Sequence, residues 1–332
     1  MIMDTAAEDP VVGVILAAGK GSRMYPFSAS FPKPLLPVCN KPLLAYHIEA
    51  MVALGIREIF IVIGHCGFEI VKALGIGDQL GAKIHYVEQE ETIGIAHAVG
   101  KLEPYLDRPF LLFLGDIYFQ TDHLGRMLET FAQGEASAVL ATKEEPDPAA
   151  IRRNFAVIEG NDGHVRRVIE KPRHIVNTLK GCGLYLFDLH IFDAIRRTPR
   201  TAMRDEYEIT DSIQILIDDG FKVKSLCVVE EDINLTFPSD LLSLNLAVLK
   251  KGGQASCIGK NVRMHADARI ADSIVGDGAV IEHAISIRDS LVLRDARVRS
   301  GEDLRHAIVT ETQVIPCGPM LLAADGPVWK GA

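Results

Sequence analysis

Short apolar segments alternate with helical segments through the first half of the chain, and this alternation limits the possible folds more than any other feature. Two of the strand-like segments, residues 59–63 and 110–114, are apolar throughout. Strands of that kind are buried on both faces, and helices between them are typical of parallel neighbours. From residue 136 to residue 226 the pattern becomes mixed. The sequence therefore predicts an α/β fold with a mixed, mostly parallel sheet.

The expected elements follow from apolar spacing and from turn residues. Strands are predicted at residues 11–17, 59–63, 83–87, 110–114, 139–141, 156–158 and 184–187. Helices are predicted at residues 68–74, 95–102 and 209–217, near Ile191, and from Pro42 to a stop at Gly55. Because proline suits the first turn of a helix, we expect that last helix to include Pro42.

A six-residue repeat replaces this pattern after Gly253. Aliphatic positions recur about every six residues from Cys257 onward, and residues 274–279 form the clearest unit. Such a repeat stacks as a parallel β-helix, in which each coil buries its apolar row against its neighbours, and this length allows about three coils. The sequence thus predicts one domain at residues 11–250 and a β-helix at residues 254–318. An irregular β-hairpin tail is the alternative.

Charge, apolar runs and cysteine spacing exclude several classes of protein. The net charge is −9, which opposes general binding to nucleic acid. No apolar run approaches the ~18 residues that a membrane helix needs, and residues 1–10 lack the basic start of a secretory signal. The six cysteines include no Cys-x-x-Cys pair, which favours free thiols over a zinc site or disulfides. We therefore expect a cytoplasmic protein with no nucleic-acid or membrane partner.

The loop after the first strand carries the clearest chemical signal. Gly19 and Gly21 allow backbone N–H groups to face an anion, and Arg23 and Lys33 supply the positive charge that a polyphosphate requires. The spacing excludes two familiar phosphate loops. A dinucleotide fingerprint needs glycine where Met24 stands, and a Walker loop needs Ser or Thr at position 21.

These residues resemble the signature of the sugar-1-phosphate nucleotidyltransferases, in which Leu-Ala-Ala-Gly-x-Gly-Ser/Thr-Arg-Leu/Met-x-Pro is followed by Lys-Pro-x-x-Pro. Further matches, in the same order, lie at residues 40–42, 94–98, 114–116, 170–172, 183–185 and 208–211. Segments 94–99 and 208–213 look most like the long form of glucose-1-phosphate thymidylyltransferase. The resemblance implies a Rossmann-like nucleotidyltransferase domain followed by a left-handed β-helix of hexapeptide repeats.

The resemblance also implies a reaction. In this family an oxygen of a sugar 1-phosphate attacks the α-phosphorus of a nucleoside triphosphate, so that an NDP-sugar forms and pyrophosphate leaves. For the long form the substrates are dTTP and glucose 1-phosphate, and the cofactor is Mg²⁺. The implied partners are a nucleoside triphosphate, a sugar 1-phosphate and further copies of the chain in a homo-oligomer.

Site residues are carried over from the family by position. The implied catalytic residues are Arg23, Lys33, Asp116 and Lys171. The implied nucleotide-binding residues are Leu16, Ala17, Ala18, Gly19, Gly21, Ser22, Gln89 and Gly94. The implied sugar-binding residues are Ala156, Glu170, Lys171, Gly183 and Tyr185. Arg23 and Lys33 would neutralise the triphosphate, and Glu170 would bind sugar hydroxyls.

The magnesium ligands implied by the resemblance are Asp116 and Asn234. Asp116 follows the apolar strand at 110–114, at the edge of the sheet where ligands bind. Without a gap, Asn234 falls where most relatives carry Asp, and uridylyltransferases acting on N-acetylglucosamine 1-phosphate carry Asn there. Asp232 is the alternative second ligand, since a two-residue shift would bring it to the same position.

The sequence leaves the base, the sugar and a second activity open. Residues 90–93, between Gln89 and Gly94, lack the proline that is usual in the family, so a uridylyl- or guanylyltransferase acting on another sugar 1-phosphate is an alternative. A bifunctional enzyme with acyltransferase activity in the β-helix is another. A binding module that holds nucleotide without turnover is the third.

Overall fold

A computed structural model describes residues 9–27, 31–202 and 205–318, together with two short strands at 322–323 and 326–327. The described chain packs as two compact units. The first holds residues 9–20, 31–32 and 44–232, and the second holds residues 21–27, 33–43 and 233–318. The domain boundary predicted from the sequence, between residues 250 and 254, remains a prediction.

The strands are numbered in chain order. They are β1 (Val12–Ala17), β2 (Pro37–Val38), β3 (Lys41–Pro42), β4 (Glu58–Ile63), β5 (Lys83–Glu88), β6 (Phe110–Leu114), β7 (Ile117–Gln120), β8 (Ala138–Glu144), β9 (Phe155–Glu159), β10 (Val165–Glu170), β11 (Leu179–Phe187), β12 (Val223–Cys227) and β13 (Glu231–Asn234). They continue as β14 (Ser256–Ile258), β15 (Arg263–Met264), β16 (Arg269–Ala271), β17 (Ser273–Val275), β18 (Val280–Ile281), β19 (Ser286–Arg288), β20 (Leu291–Val292), β21 (Arg297–Val298), β22 (Leu304–Arg305), β23 (Ala307–Val309), β24 (Val314–Pro316), β25 (Leu322–Ala323) and β26 (Gly326–Pro327).

Helices alternate with the strands of the first unit and precede the last group of strands in the second. They are α1 (Leu43–Ala53), α2 (Gly67–Leu74), α3 (Ile95–Gly100), α4 (Gly125–Ala132), α5 (Pro148–Arg153), α6 (Ile191–Arg197), α7 (Ile209–Asp218) and α8 (Pro238–Lys251). No helix in the described ranges is both long enough and apolar enough to cross a membrane.

One mixed sheet forms the first unit. Its main path runs β10-β9-β11-β6-β1-β4-β5, with β8 beside β11 and β12 beside β8. Strands β6, β1, β4 and β5 run parallel, whereas β11 is antiparallel to β6, β8 and β9. The predicted mixed α/β sheet is therefore confirmed. Parallel pairing is concentrated at the β5 end, where helices connect successive strands, so the sheet is mostly parallel only in that half.

The order of the parallel strands reverses at β1. The chain passes from β1 to β4 and β5 on one side and then crosses to β6 on the other side of β1. In open α/β sheets, ligands bind at the carboxyl ends of the strands where the order reverses. The topology therefore places a binding crevice at the ends of β1 and β6.

Most predicted elements of the first unit are confirmed, several to within one residue at either end. The strand predicted at 110–114 is β6, and the helix predicted at 68–74 is α2, which begins one residue earlier. One local prediction is wrong: Pro42 lies in β3, and α1 begins at Leu43. Cys39 and Asn40 both have positive φ (45° and 65°), so they form a two-residue turn between β2 and β3. This hairpin requires an extended backbone at the position predicted to open the helix.

The second unit contains three parallel sheets whose strands recur at a constant interval along the chain. Strands β14, β17, β20 and β23 form one sheet, β15, β18 and β21 the second, and β16, β19 and β22 the third. Hydrogen bonds between successive coils join positions 17 apart, as from Ser290 to Ser273. Each coil is therefore one position shorter than three full hexapeptides. Stacked parallel strands continue to β23, and antiparallel pairing occurs at the end, between β23 and β24.

Two buried serines connect successive coils. The hydroxyl of Ser273 accepts a hydrogen bond from the backbone N–H of Ser290 (3.1 Å) and donates one to the carbonyl of Ala271 (2.7 Å). The hydroxyl of Ser290 accepts from the N–H of Ala307 (3.2 Å) and donates to Arg288 (2.6 Å) in the same way. Because each hydroxyl both donates and accepts, these polar residues lie beside the apolar core without an unpaired group.

The β2–β3 hairpin is bonded to distant parts of the same unit. Asn245, on α8, accepts from the N–H of Cys39 (2.8 Å) and donates its amide to the carbonyl of Pro37 (2.9 Å). The amide of Asn40 donates to the carbonyl of Val275 on β17 (2.9 Å). The hairpin is therefore held by α8 and by the first of the three parallel sheets.

Candidate active site

The ends of β1 and β6 pack backbone against backbone. The N–H of Gly115 donates to the carbonyl of Leu16 (2.9 Å), and a Cβ on Gly115 would lie only 2.6 Å from that oxygen. Leu16 pairs with Leu114 in the sheet. Asp116 is half-buried and is the next residue after this close approach. It therefore lies at the crevice that the topology defines.

Three neighbouring strand ends bring three of the predicted nucleotide-binding residues, Ala17, Ala18 and Gln89, to the same edge. Ala17 pairs with Ile63 at the end of β4, and Ala18 lies against Gly64, where a Cβ would be 2.9 Å from the Ala18 carbonyl. The N–H of Gln89 donates to the carbonyl of Ile63 (2.8 Å). The loop that leaves β1 and the residue that follows β5 are thus tied to the end of β4.

Gln89 is buried, with 2% of its surface exposed, and its side chain is held by a neighbour. Its Nε2 lies 2.9 Å from Nδ1 of His97, on α3. Burial lowers the pKa of His97, and Lys101 lowers it further, so the imidazole is neutral near pH 7. A neutral imidazole can accept a hydrogen bond at Nδ1. Because the amide nitrogen of Gln89 can only donate, Nδ1 is the acceptor of this bond.

Gly94 meets the backbone of another loop. Its φ is +119°, and a Cβ would lie 2.3 Å from the carbonyl oxygen of Tyr207 and 2.5 Å from its nitrogen. The same loop is bonded to the chain around Gly94, since Tyr207 donates its N–H to Ile93 (2.8 Å) and accepts from Ala96 (3.0 Å). Gly94, which the family resemblance assigned to nucleotide binding, is therefore also required for the packing of this loop.

We expect Gly94→Ala to lower the free energy of unfolding by at least about 3 kcal/mol, because the new methyl must displace backbone atoms as well as adopt a strained φ. Gly134→Ala is the matched control, since Gly134 also has positive φ (+74°) but its Cβ position is open. That control should cost about 1 kcal/mol. Urea denaturation measures both, and equal losses would show that packing against Tyr207 is unimportant.

The predicted sugar-binding residues lie on β9, β10 and β11 and on the turn after β10. The hydroxyl of Thr210 is 3.4 Å from Oε2 of Glu170, and Nζ of Lys171 is 3.9 Å from Oε1. Lys171 has positive φ (43°), and its N–H donates to the carbonyl of Asn154 (2.8 Å). This turn bends the backbone sharply after β10, so that Glu170 and Lys171 are adjacent but have different backbone conformations.

Tyr185 lies deeper than a residue that simply lines a pocket. It is 2% exposed, and its ring stacks between those of Phe155 (6.0 Å) and Phe187 (5.5 Å). Burial raises the pKa of Tyr185 well above its usual range, and the nearby carboxylates of Glu170 and Glu208 add to this effect. The ring is therefore part of the core, and its hydroxyl lies near two carboxylates.

Glu208 is a candidate site residue to which sequence reasoning assigned no role. It is 5% exposed and directly precedes α7, which carries Thr210. Buried carboxylates are uncommon and need polar partners. The available signal was the Glu-Ile-Thr-Asp segment, which matches the family signature but does not by itself indicate a chemistry.

Asp232, the alternative magnesium ligand, is engaged in a buried ion cluster. Both of its carboxylate oxygens accept from Nζ of Lys180 (2.6 and 2.9 Å), and Nζ of Lys143 is 3.7 Å away. The side chains of Asp232 and Lys180 are each 4% exposed. Burial lowers the pKa of Lys143, but the carboxylates of Asp232 and Glu145 outweigh it and raise that pKa. The carboxylate of Asp232 is therefore occupied by lysine partners, whereas Asn234 is exposed.

The predicted residues Gly21, Ser22, Arg23, Lys33 and Asn234 belong to the second unit. Gly21 has positive φ (61°), and a Cβ there would lie 2.6 Å from Cε of Lys33. Lys33 is 8% exposed, so its stem covers the glycine backbone. Ser22 and Arg23 lie on a 3₁₀ turn, and both are exposed. Within this unit the structure brings Gly21 and Lys33 together and leaves Arg23 accessible to a ligand.

Each of the two predicted magnesium ligands carries an oxygen of the kind that Mg²⁺ takes. Among the described residues, no three His, Cys, Asp or Glu side chains cluster as a complete metal site. Mg²⁺ usually takes one or two protein oxygens and completes its shell with phosphate oxygens and water. The carboxylate of Asp116 and the amide oxygen of Asn234 are ligands of that type.

Comparison with known proteins places the chain in a family. The nucleotidyl transferase family model matches residues 12–233, more than half of the chain. The low-salt glycan biosynthesis nucleotidyltransferase Agl11 of Haloferax volcanii is 36% identical over 241 residues, which cover 72% of this chain and 66% of that protein. A glucose-1-phosphate thymidylyltransferase of Streptomyces griseus is 32% identical over 352 residues, with 94% and 97% coverage.

Structural comparison agrees with this assignment. A crystal structure of a Bacillus anthracis protein described as a glucose-1-phosphate thymidylyltransferase, in complex with sucrose, superposes with a TM-score of 0.64 at 26% identity. The match covers 71% of this chain and 94% of that one. The chain belongs to the nucleotidyl transferase family. This chain spans just under two thirds of the length of Agl11 and nearly all of the Streptomyces griseus protein.

Proposed function

We propose that this protein is a glucose-1-phosphate thymidylyltransferase, which joins dTTP and glucose 1-phosphate to form dTDP-glucose and pyrophosphate. The observation that carries the proposal is the position of Asp116 at the strand reversal, beside the loop that leaves β1. Family membership sets the reaction class, since the members compared above are named as nucleotidyltransferases and thymidylyltransferases.

The carboxamide of Gln89 supports the choice of thymine as the base. Thymine presents an N3–H donor beside a carbonyl acceptor, and a carboxamide offers the complementary acceptor and donor. Uracil presents the same edge and differs by the ring methyl, and UTP also carries a 2′-hydroxyl. We therefore expect UTP to be the second-best substrate, and a uridylyltransferase is the second candidate function.

The chemistry requires positioning and charge neutralisation more than covalent help from the protein. An oxygen of the sugar phosphate forms a bond to the α-phosphorus while the bond to the β-phosphate oxygen breaks, and pyrophosphate carries away the electron pair. Lys171 would hold the sugar phosphate, and Arg23 and Lys33 would neutralise the leaving pyrophosphate. Asp116 and Asn234 would hold Mg²⁺, which supplies further charge neutralisation when bound.

The second unit would serve assembly. We propose that its stacked coils are the left-handed β-helix of the long-form enzymes and that they join copies of the chain in a homo-oligomer in the cytoplasm. Parallel strands stacked with one register over successive coils support the first part of this proposal.

Pyrophosphate release with dTTP, UTP, GTP, CTP and ATP, each against a panel of sugar 1-phosphates, tests the proposed function. We expect the highest kcat/KM with dTTP and glucose 1-phosphate, and no release without magnesium. A preference for GTP or CTP would contradict the thymidylyl assignment. Release with none of these pairs would contradict nucleotidyl transfer by this chain.

A further inference from the structure

We propose that His97 fixes the orientation of the Gln89 carboxamide and thereby makes the enzyme prefer thymine and uracil over cytosine. This inference rests on the proposed function, because it assigns base reading to Gln89. His97 would act through Gln89 and is a positioning residue, with no contact to the base required.

The hydrogen bond between the two side chains carries the inference. The amide nitrogen Nε2 of Gln89 faces Nδ1 of His97 at 2.9 Å. Gln89 is 2% exposed, and its backbone is hydrogen-bonded to Ile63. The carboxamide can therefore change its orientation only by rotating about the bond that attaches it to the rest of the side chain. With Nε2 held on the histidine side, Oε1 is the atom of the carboxamide that remains to accept from a ligand.

The surroundings of His97 keep its imidazole neutral, which is the protonation state in which Nδ1 can accept this bond. Burial lowers its pKa, Lys101 and Arg200 add to this, and the charge of Glu91 opposes it. The backbone of Glu91 also raises the pKa. In a neutral imidazole whose Nδ1 accepts from Gln89, the ring proton is on Nε2. Tyr207 stacks on the ring with centroids 6.4 Å apart, and Arg200 lies over the Tyr207 ring at 5.5 Å.

A fixed carboxamide discriminates between pyrimidines, and one that can turn over does not. Thymine and uracil have a donor at N3 next to an acceptor at C4, whereas cytosine has the reverse pair. A carboxamide that is free to rotate satisfies either pattern, because a half-turn swaps the positions of its oxygen and its nitrogen. An amide whose nitrogen is held by Nδ1 can present one pattern only, and the other base leaves polar groups unpaired.

Protonation of His97 should remove this discrimination. An imidazolium has no acceptor, so Nδ1 would donate, and the carboxamide would turn its oxygen toward the histidine. Because the pKa of His97 is lowered, this change should occur at acid pH, below the ordinary histidine value of about 6.5. The groups that face the ring and set this pKa are Glu91, Lys101 and Arg200, with Tyr207 stacked on it.

The test compares kcat/KM for dTTP and dCTP with glucose 1-phosphate, using the full chain. His97→Phe keeps an aromatic ring against Tyr207 but removes the acceptor, and we expect the dTTP-to-dCTP ratio to fall at least about tenfold. The change should lie mainly in a lower KM for dCTP, because a freed carboxamide still pairs with thymine, and kcat should change less than about twofold. His97→Asn retains an acceptor oxygen and should restore much of the ratio.

The wild-type pH profile supplies a second measurement that needs no variant. The dTTP-to-dCTP ratio should fall as pH decreases below the ordinary histidine value of about 6.5, within the range in which circular dichroism shows a native fold. An unchanged ratio in folded His97→Phe, or a flat profile in the wild type, overturns the role of His97 and leaves the proposed function intact. A wild-type enzyme that does not prefer dTTP over dCTP overturns both.

Discussion

Asp116→Asn is expected to lower kcat/KM at least about 100-fold, because it removes the carboxylate that the structure places at the strand reversal. That loss corresponds to about 2.7 kcal/mol of transition-state stabilisation. The amide is nearly the same size as the carboxylate, so the packing between Gly115 and Leu16 should be retained. Pyrophosphate release over a range of magnesium concentrations measures the effect.

Asp107→Asn is the matched control for this variant. Asp107 precedes the other end of the same strand, β6, and its side chain is 81% exposed. The Asp107→Asn variant should leave kcat/KM unchanged. Circular dichroism must show a native fold in both variants. Turnover of Asp116→Asn close to wild type at saturating magnesium would mean that the metal site is elsewhere.

Asp232→Ala is expected to lower the free energy of unfolding by about 3 kcal/mol, because it leaves the buried ammonium of Lys180 without its closest partner. Glu145, at 3.7 Å, still compensates part of that charge, so the loss should fall at the lower end of the range for broken buried pairs. Equilibrium unfolding in urea measures the change. The magnesium concentration for half-maximal activity should stay the same in the folded variant.

A double variant separates the ion pair from a role in metal binding. Replacing both partners, as Lys180→Met with Asp232→Leu, should recover stability to within about 1 kcal/mol of the wild type, since the closest buried pair is removed together. If Asp232→Ala instead raises the magnesium requirement and leaves stability unchanged, Asp232 is a metal ligand and Asn234 is not.

Features that depend on neighbours in sequence were predicted well. The apolar run at 110–114 gave β6 with correct ends, and the glycine-containing loop was placed after β1 from the sequence alone. Local apolar spacing determines such elements, because burial on both faces needs an unbroken run. The six-residue repeat also predicted the stacked parallel strands of the second unit.

Features that depend on distant residues could not be predicted. The Lys180–Asp232 pair joins positions 52 apart, and neither residue has a sequence context that indicates a buried charge. The bond between Gln89 and His97 lies across a turn whose shape depends on Tyr207. The length of each coil, one position short of three hexapeptides, depends on how the coils pack. In each case the deciding contact is set by the fold rather than by local spacing.

The attachment of the β2–β3 hairpin has a consequence for how the protein is made. Its partners, Asn245 and Val275, follow the hairpin by more than 200 positions. During synthesis the hairpin therefore leaves the ribosome long before the residues that hold it, and contacts of such long range form slowly. Lys33, four residues before the hairpin, therefore belongs to a segment whose anchoring contacts form late in synthesis.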